Sequence, residues 1–183
     1  MKKSHHMILT LTLVGVFSSG ALVGIYKYAQ PLIKVNQRKA LEEAIFQVLP
    51  EAKSFKTITK DGKNIYEGLD SSGKLVGYAF VGKGPGYQGI IKVMIGVDPE
   101  FKKTLAIEIL ESVETPGLGQ KITMPFFRGQ FQGLNIVPFI KLVKKKPVTS
   151  NEVQAITGAT ISSTAVVDIV NSTVAEVKDL LGK

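Results

Sequence analysis

The sequence contains no cysteine. That single absence excludes disulfides, thiolate metal sites, iron–sulfur clusters and cysteine nucleophiles together, and it suits an extracytoplasmic setting. Histidine is nearly missing too: only His5 and His6 occur, side by side ahead of an apolar stretch. A histidine general base further along the chain is therefore excluded, and the pair reads as a polar flank. Internal repeats and long low-complexity linkers are lacking. The basic residues are scattered, without the aromatic or basic motifs of nucleic-acid readers, so no nucleic-acid partner is expected.

What is present is enough apolar material for a core. Of 183 residues, 44% are hydrophobic, which argues against wholesale disorder. The formal net charge is +8, and Lys144, Lys145 and Lys146 form a short run. Such a balance suits an anionic ligand, an acidic partner or an anionic membrane surface; for most of the lysines a solvated face suffices. Met7 to Tyr26 carries no charge and is long enough to span a bilayer as a helix. Lys2 and Lys3 precede it, Lys27 follows it, and Tyr26 and Tyr28 lie where interfacial aromatics are expected. The rival reading is a cleaved signal peptide with Ser19-Gly20-Ala21 as its cleavage site; continuation of the apolar run through Leu22, Val23 and Ile25 favours an anchor. Charge alone does not orient it. Lys27, Lys34, Arg38 and Lys39 outweigh Lys2 and Lys3, which leans against an outside C-terminal domain.

Beyond the anchor, Asn36 to Leu49 reads as a helix, with Leu41, Ala44, Ile45 and Val48 on one stripe and Pro50 after its end. Residues 64–81 read as a hairpin about Asp70-Ser71-Ser72-Gly73, and residues 91–97 and 105–111 as a second hairpin broken by Asp98-Pro99-Glu100. Gly82, Gly84, Pro85, Gly86 and Gly89 read as a link between the hairpins. This link lacks the Lys-Ser/Thr of a P-loop and the strand–turn–helix setting of a dinucleotide fold. Met124-Pro125-Phe126-Phe127 predicts a short helix with Pro near its first position, with Phe126, Phe127 and Phe131 in the core. Ile140 to Val143 predicts a strand. Ser162 to Leu181 predicts the last helix, with Val166, Val170, Val174, Val177 and Leu181 on its buried face. The fold class expected is α+β: antiparallel hairpins with flanking helices behind one N-terminal transmembrane helix.

Two segments carry chemistry. Thr157-Gly158-Ala159-Thr160-Ile161-Ser162-Ser163 stands at the start of the last helix. Unpaired N–H groups and the helix dipole favour an anion there. Gly158 permits a sharp turn, Ala159 leaves the approach open, and Thr160, Ser162 and Ser163 offer hydroxyls. The same residues fit an ordinary N-cap equally well. Glu114-Thr115-Pro116-Gly117-Leu118-Gly119 follows a strand and reads as a tight turn with accessible N–H groups, or as a plain type II turn with a solvent-facing carboxylate.

Taken together with Gly86-Tyr87-Gln88-Gly89, the run Val93 to Asp98 and the N-terminal anchor, these segments resemble the FMN-binding subunits of ion-translocating electron-transport complexes. The chain is similar to the G subunit of the Rnf complex and to the related C subunit of the sodium-pumping NADH:quinone reductase, with a length closer to the former. The resemblance implies FMN bonded covalently through its phosphate to Thr160, installed by a flavin transferase that uses FAD. Thr157, Gly158, Ala159, Ser162 and Ser163 would surround the attachment, and Glu114, Thr115, Pro116, Gly117, Leu118 and Gly119 would pack beside the cofactor. It implies an electron-carrying subunit rather than a self-sufficient enzyme. Its partners would be membrane, iron–sulfur and flavin subunits of an Rnf-type ferredoxin:NAD oxidoreductase. It also implies a single-pass protein of the cytoplasmic (inner) membrane: residues 1–6 a cytoplasmic flank, 7–26 the anchor, 27–50 a connecting amphipathic helix and 51–183 an extracytoplasmic FMN-binding domain. One departure stands out: where the family pattern has Asp six residues before the modified threonine, this chain has Gln154, with Glu152 the nearest upstream acid. The alternatives are a membrane-anchored FMN domain serving another reductase or a regulatory system, and a non-redox anchored binding module.

Overall fold

The computed structural model describes residues 2–183; Met1, part of the expected flank, lies outside the described residues. Helix α1 spans Lys2–Val48. The strands β1 (Ser54–Lys60), β2 (Lys63–Leu69), β3 (Leu75–Pro85), β4 (Ile90–Val97) and β5 (Thr104–Glu111) follow, then α2 (Pro125–Arg128), β6 (Lys141–Val143), β7 (Glu152–Gln154) and α3 (Thr160–Leu181). By compactness the chain divides after Ala40. Residues 7–26 of α1 are apolar and exposed, and α1 is the one helix among the described residues long and apolar enough to cross a membrane.

Strands β1 to β5 form one antiparallel meander in chain order. Period-2 alternation in β4 sends Val93, Ile95 and Val97 to one face and Met94 to the other. The first face packs against Val166, Val170, Val174 and Val177 of α3, with Phe127 of α2 and Phe131 shortly after it completing that core. The second is covered by Ala44, Ile45 and Val48 at the end of α1 and by Leu49 just beyond it. Both faces are thus occupied, so β4 is almost wholly buried.

The two expected hairpins are present, and β3 and β4 also pair, so they merge into a single sheet. Gly82, Gly84 and Pro85 belong to β3 rather than to a link; only residues 86–89 turn, closed by the Gly86 N–H donating to the Gly89 carbonyl at 2.6 Å. β1 is unforeseen, because its largely exposed side chains give little hydrophobic pattern; the Asp61-Gly62 turn joining it to β2, with both residues at positive φ, was the available signal. β6 finds its partner in β7, in parallel. The separate helix expected from Asn36 is the tail of α1, which accommodates Pro31 within its length. Pro125 occupies the start of α2 as expected, and Phe127 and Phe131 are buried, but Phe126 is 58% exposed. A helix of four residues has one inward position, and Phe127 takes it.

Candidate functional site

Three loops meet at the N-terminus of α3, and Glu114 ties them together. Its carboxylate is only 4% exposed. Oε1 accepts the backbone N–H groups of Tyr87 and Gln88 at 2.8 and 3.0 Å, and Oε2 accepts the Ser162 hydroxyl at 2.5 Å. A buried carboxylate needs such donors to offset its lost hydration. The fit leaves no room for side chains on either flank: a Cβ at Gly86 would strike Oε1 and Ile91, and one at Gly119 would strike Oε2 and the Ser162 hydroxyl. Glu114 is therefore a buried clasp, not the solvent-facing carboxylate of a plain turn.

Ser163 shapes the approach to α3 from within. It is fully buried, its Oγ donates to the Ala159 carbonyl at 2.9 Å, and it accepts the Ile156 N–H at 3.1 Å. Gly158 adopts φ +82°, a left-handed value that strains a residue with a Cβ. The helix then opens at Thr160 with Ala159 as its N-cap, and no side chain caps it. The reading of Thr160 as a cap is thereby corrected: the residue stands inside the helix, where its hydroxyl does not reach the N–H groups ahead of it.

The hydroxyls of this segment divide cleanly. Ser162 is committed to Glu114, Ser163 to Ala159, and Thr164 donates to the Thr160 carbonyl at 2.9 Å. Among the described residues the Thr160 hydroxyl makes no hydrogen bond, and the residue is exposed. It borders a cleft of about 390 Å³ lined by Tyr87, Glu114, Thr115, Leu118, Gly119, Gly158, Ala159, Thr160, Ile161 and Ser162. That volume falls within the range of small-molecule sites. Tyr87, Leu118 and Ile161 are well exposed and give it apolar walls.

Of the residues singled out from sequence, Thr157, Pro116, Gly117 and Ser163 do not line the cleft. Gly117, at φ +76°, turns the loop that presents Leu118 and Gly119. Tyr87 and Ile161 also line it; the sequence marks them only as parts of the Gly86 to Gly89 and Thr157 to Ser163 motifs, with no role beside the cofactor assigned to either. Gln154 donates its N–H to the Gln130 Oε1 at 2.7 Å, and its side chain is exposed. Glu152 is engaged elsewhere. Its carboxylate accepts the N–H groups of Val148 and Thr149, in that order of weight, which hold it below the usual carboxylate range.

The arrangement suits a phosphate-bearing ligand with a flat apolar part. An uncapped helix N-terminus without acidic residues in its first turn favours the anion, a free hydroxyl stands beside it, and apolar side chains flank the cleft. Among the described residues no cluster of three His, Cys, Asp or Glu side chains exists to hold a metal.

Residues 86–175 match the FMN-binding domain family. Over 94% of its length the chain is 35% identical to the G subunit of the ion-translocating oxidoreductase complex of Methanosarcina acetivorans, covering 94% of that protein. It is 30% identical to the G subunit of the proton-translocating ferredoxin:NAD(+) oxidoreductase complex of Clostridium ljungdahlii, over 95% of this chain and 90% of the other. It is 36% identical to the G subunit of the Na(+)-translocating ferredoxin:NAD(+) oxidoreductase complex of Acetobacterium woodii, over 70% and 69%. Shewanella oneidensis NqrC shares the fold, with a TM-score of 0.55 at 22% identity over 68% of this chain and 66% of that one.

Proposed function

Because this chain belongs to the G-subunit family of Rnf-type ion-translocating oxidoreductase complexes, we propose that it is a membrane-anchored electron-carrying subunit whose FMN is esterified through its phosphate to Thr160. The observation that carries the attachment is the free, exposed Thr160 hydroxyl, at an uncapped helix N-terminus where Ser162, Ser163 and Thr164 are all internally engaged. In the maturation step the Thr160 oxygen forms a bond to phosphorus, the pyrophosphate bond of FAD breaks, AMP leaves, and the hydroxyl proton is released. A flavin transferase is the catalyst the reading requires. Esterification leaves a phosphodiester, still anionic and still favoured by the helix dipole.

Bound flavin supplies reversible electron transfer, and the protein supplies placement and electrostatics. Thr160 and the first-turn N–H groups would hold the phosphate. Tyr87, Leu118 and Ile161 would offer apolar surface to the ring, and Glu114 keeps the three loops in register. No side chain here is asked to act as acid, base or nucleophile in turnover. The soluble domain is proposed to lie outside the cytoplasmic face, as the family resemblance implies, against the lean of the lysine count. The neighbours are the other membrane and redox subunits of the complex.

The test is intact mass with peptide mapping of the protein taken from its native membrane. An FMN-sized increment on the Thr160 peptide is expected. Flavin on Ser162, Ser163 or Thr164 instead, or a colourless unmodified protein from a host that has the transferase, would overturn the assignment.

A further inference from the structure

A second and larger concavity, about 780 Å³, opens beside the Thr160 cleft. The two share one stretch of backbone: Thr157 lines the larger groove and Gly158 the cleft. Lys121, Phe126, Gln130, Lys146, Gln154 and Thr157 are among the residues lining the groove, and no carboxylate is.

Its charge is uncompensated. Among the described residues the ammonium groups of Lys121 and Lys146 make no ion pair or hydrogen bond, and Lys144 and Lys145 are exposed next to Lys146 in the chain in the same condition. Some lysines elsewhere are paired, as in Lys92–Glu111 at 2.8 Å and Lys102–Glu100 at 2.6 Å; what sets Lys121 and Lys146 apart is that they share one groove with no carboxylate in its lining. From Glu114 to Asp168 the chain holds six basic residues and three acids; Arg128 is paired with Glu108, Glu114 is buried, and the Glu152 carboxylate is turned into its own loop. The groove is also apolar. Phe126 stands half-exposed in it, and Pro147 and Ala155 also line it. The Thr157 hydroxyl and the Gln154 amide offer hydrogen-bonding groups without internal partners.

We propose that this groove is the docking surface for an acidic segment of a neighbouring polypeptide carrier, one that presents carboxylates around an apolar side chain. The inference rests on the electron-carrying role set out above. A solvated lysine face would account for the charge but not for an aromatic residue held open beside it. A small anion would answer the lysines and leave the apolar wall uncovered, and a flat lipid surface has no segment to fill a concavity. Complementary charge raises encounter rates and fixes register at such interfaces. A partner seated here would stand next to the Thr160 cleft, which shortens the path for electrons.

The experiment uses the intact complex purified from native membranes. A photo-cross-linking benzoylphenylalanine replaces Phe126, and adducts are identified by mass spectrometry, with flavin on the Thr160 peptide measured in the same sample. The expected product joins this chain to an Asp/Glu-rich peptide of another subunit. Its yield should fall at least about tenfold in the Lys121→Glu/Lys146→Glu double variant, but not in Lys63→Glu, whose partner Glu176 lies elsewhere. An unchanged far-UV spectrum and flavin content would show that the double variant is folded. Adducts only to lipid, adducts only within the chain, or a yield indifferent to charge reversal would each overturn the docking surface. Charge-sensitive cross-linking without flavin on Thr160 would keep the docking surface and overturn the attachment.

Discussion

Thr160 and Glu114 contribute to one site in opposite ways. Thr160 is exposed and its hydroxyl makes no hydrogen bond among the described residues, so Thr160→Ala should abolish covalent flavin while changing stability by no more than about 0.5 kcal/mol. In-gel flavin fluorescence and a thermal melt of the full chain check both halves. Glu114 is buried with three donors directed at it. Glu114→Ala leaves the Tyr87 and Gln88 N–H groups and the Ser162 hydroxyl without an acceptor. Only the Ser162 hydroxyl is fully buried, the two N–H groups being in a part-buried setting; at about 1–3 kcal/mol for a buried group left unpaired, a loss of about 1–3 kcal/mol is expected in chemical denaturation. Glu114→Gln keeps one acceptor oxygen for the two N–H groups and should lose less. Similar losses in the two variants would mean that charge, not hydrogen bonding, dominates the clasp.

At the scale of elements, the sheet depends on helices reaching both faces. Gly96 shows how close the tail of α1 comes: a Cβ there would run into the backbone carbonyl of Val48. Backbone cannot rotate aside as a side chain can, so Gly96→Ala should cost about 1–3 kcal/mol, seen as a lower melting temperature. The β2–β3 turn offers a pH test. Asp70 accepts the Ser72 hydroxyl and N–H and the Lys74 N–H, and chiefly the Ser72 side-chain bond, then the Lys74 backbone bond, holds its carboxyl below the ordinary value. A depressed folded-state pKa contributes stability that is present above the unfolded value. It is lost as pH falls through the folded one. The stability difference between the native chain and Asp70→Asn should therefore be full near neutrality and shrink below about pH 4. A difference that grew on acidification would contradict the sign.

For the whole molecule, the membrane association of the family and the exposed apolar stretch of α1 agree. The protein should stay with the membrane through alkaline carbonate washing. Orientation can be read directly, because the absence of cysteine makes any introduced thiol unique. Ser71→Cys, in an exposed turn, should react with a membrane-impermeant maleimide in intact cells if the domain is extracytoplasmic. Labelling only after lysis would reverse the proposed topology and agree with the lysine count.

Sequence by itself determined what depends on local pattern. The apolar stretch from Met7 to Tyr26, the stripe of Leu41, Ala44, Ile45 and Val48, the alternation in β4 and β5 and the valine face of α3 each repeat at the period of their element, so they were legible without a partner. The segment from Thr157 to Thr160 stood out only through the family resemblance, because a glycine and hydroxyl residues ahead of a helix fit an ordinary N-cap equally well. Tertiary structure alone decided what depends on residues far apart in the chain. It put Glu114 between the turn at Tyr87 and the helix at Ser162, paired β6 with β7, and left Phe126 open while Phe127 turned inward. It also separated the free hydroxyl of Thr160 from the engaged ones of Ser162 and Ser163. In the sequence these are equivalent residue types. Burial and hydrogen-bond partners, which only the packed chain supplies, make them different.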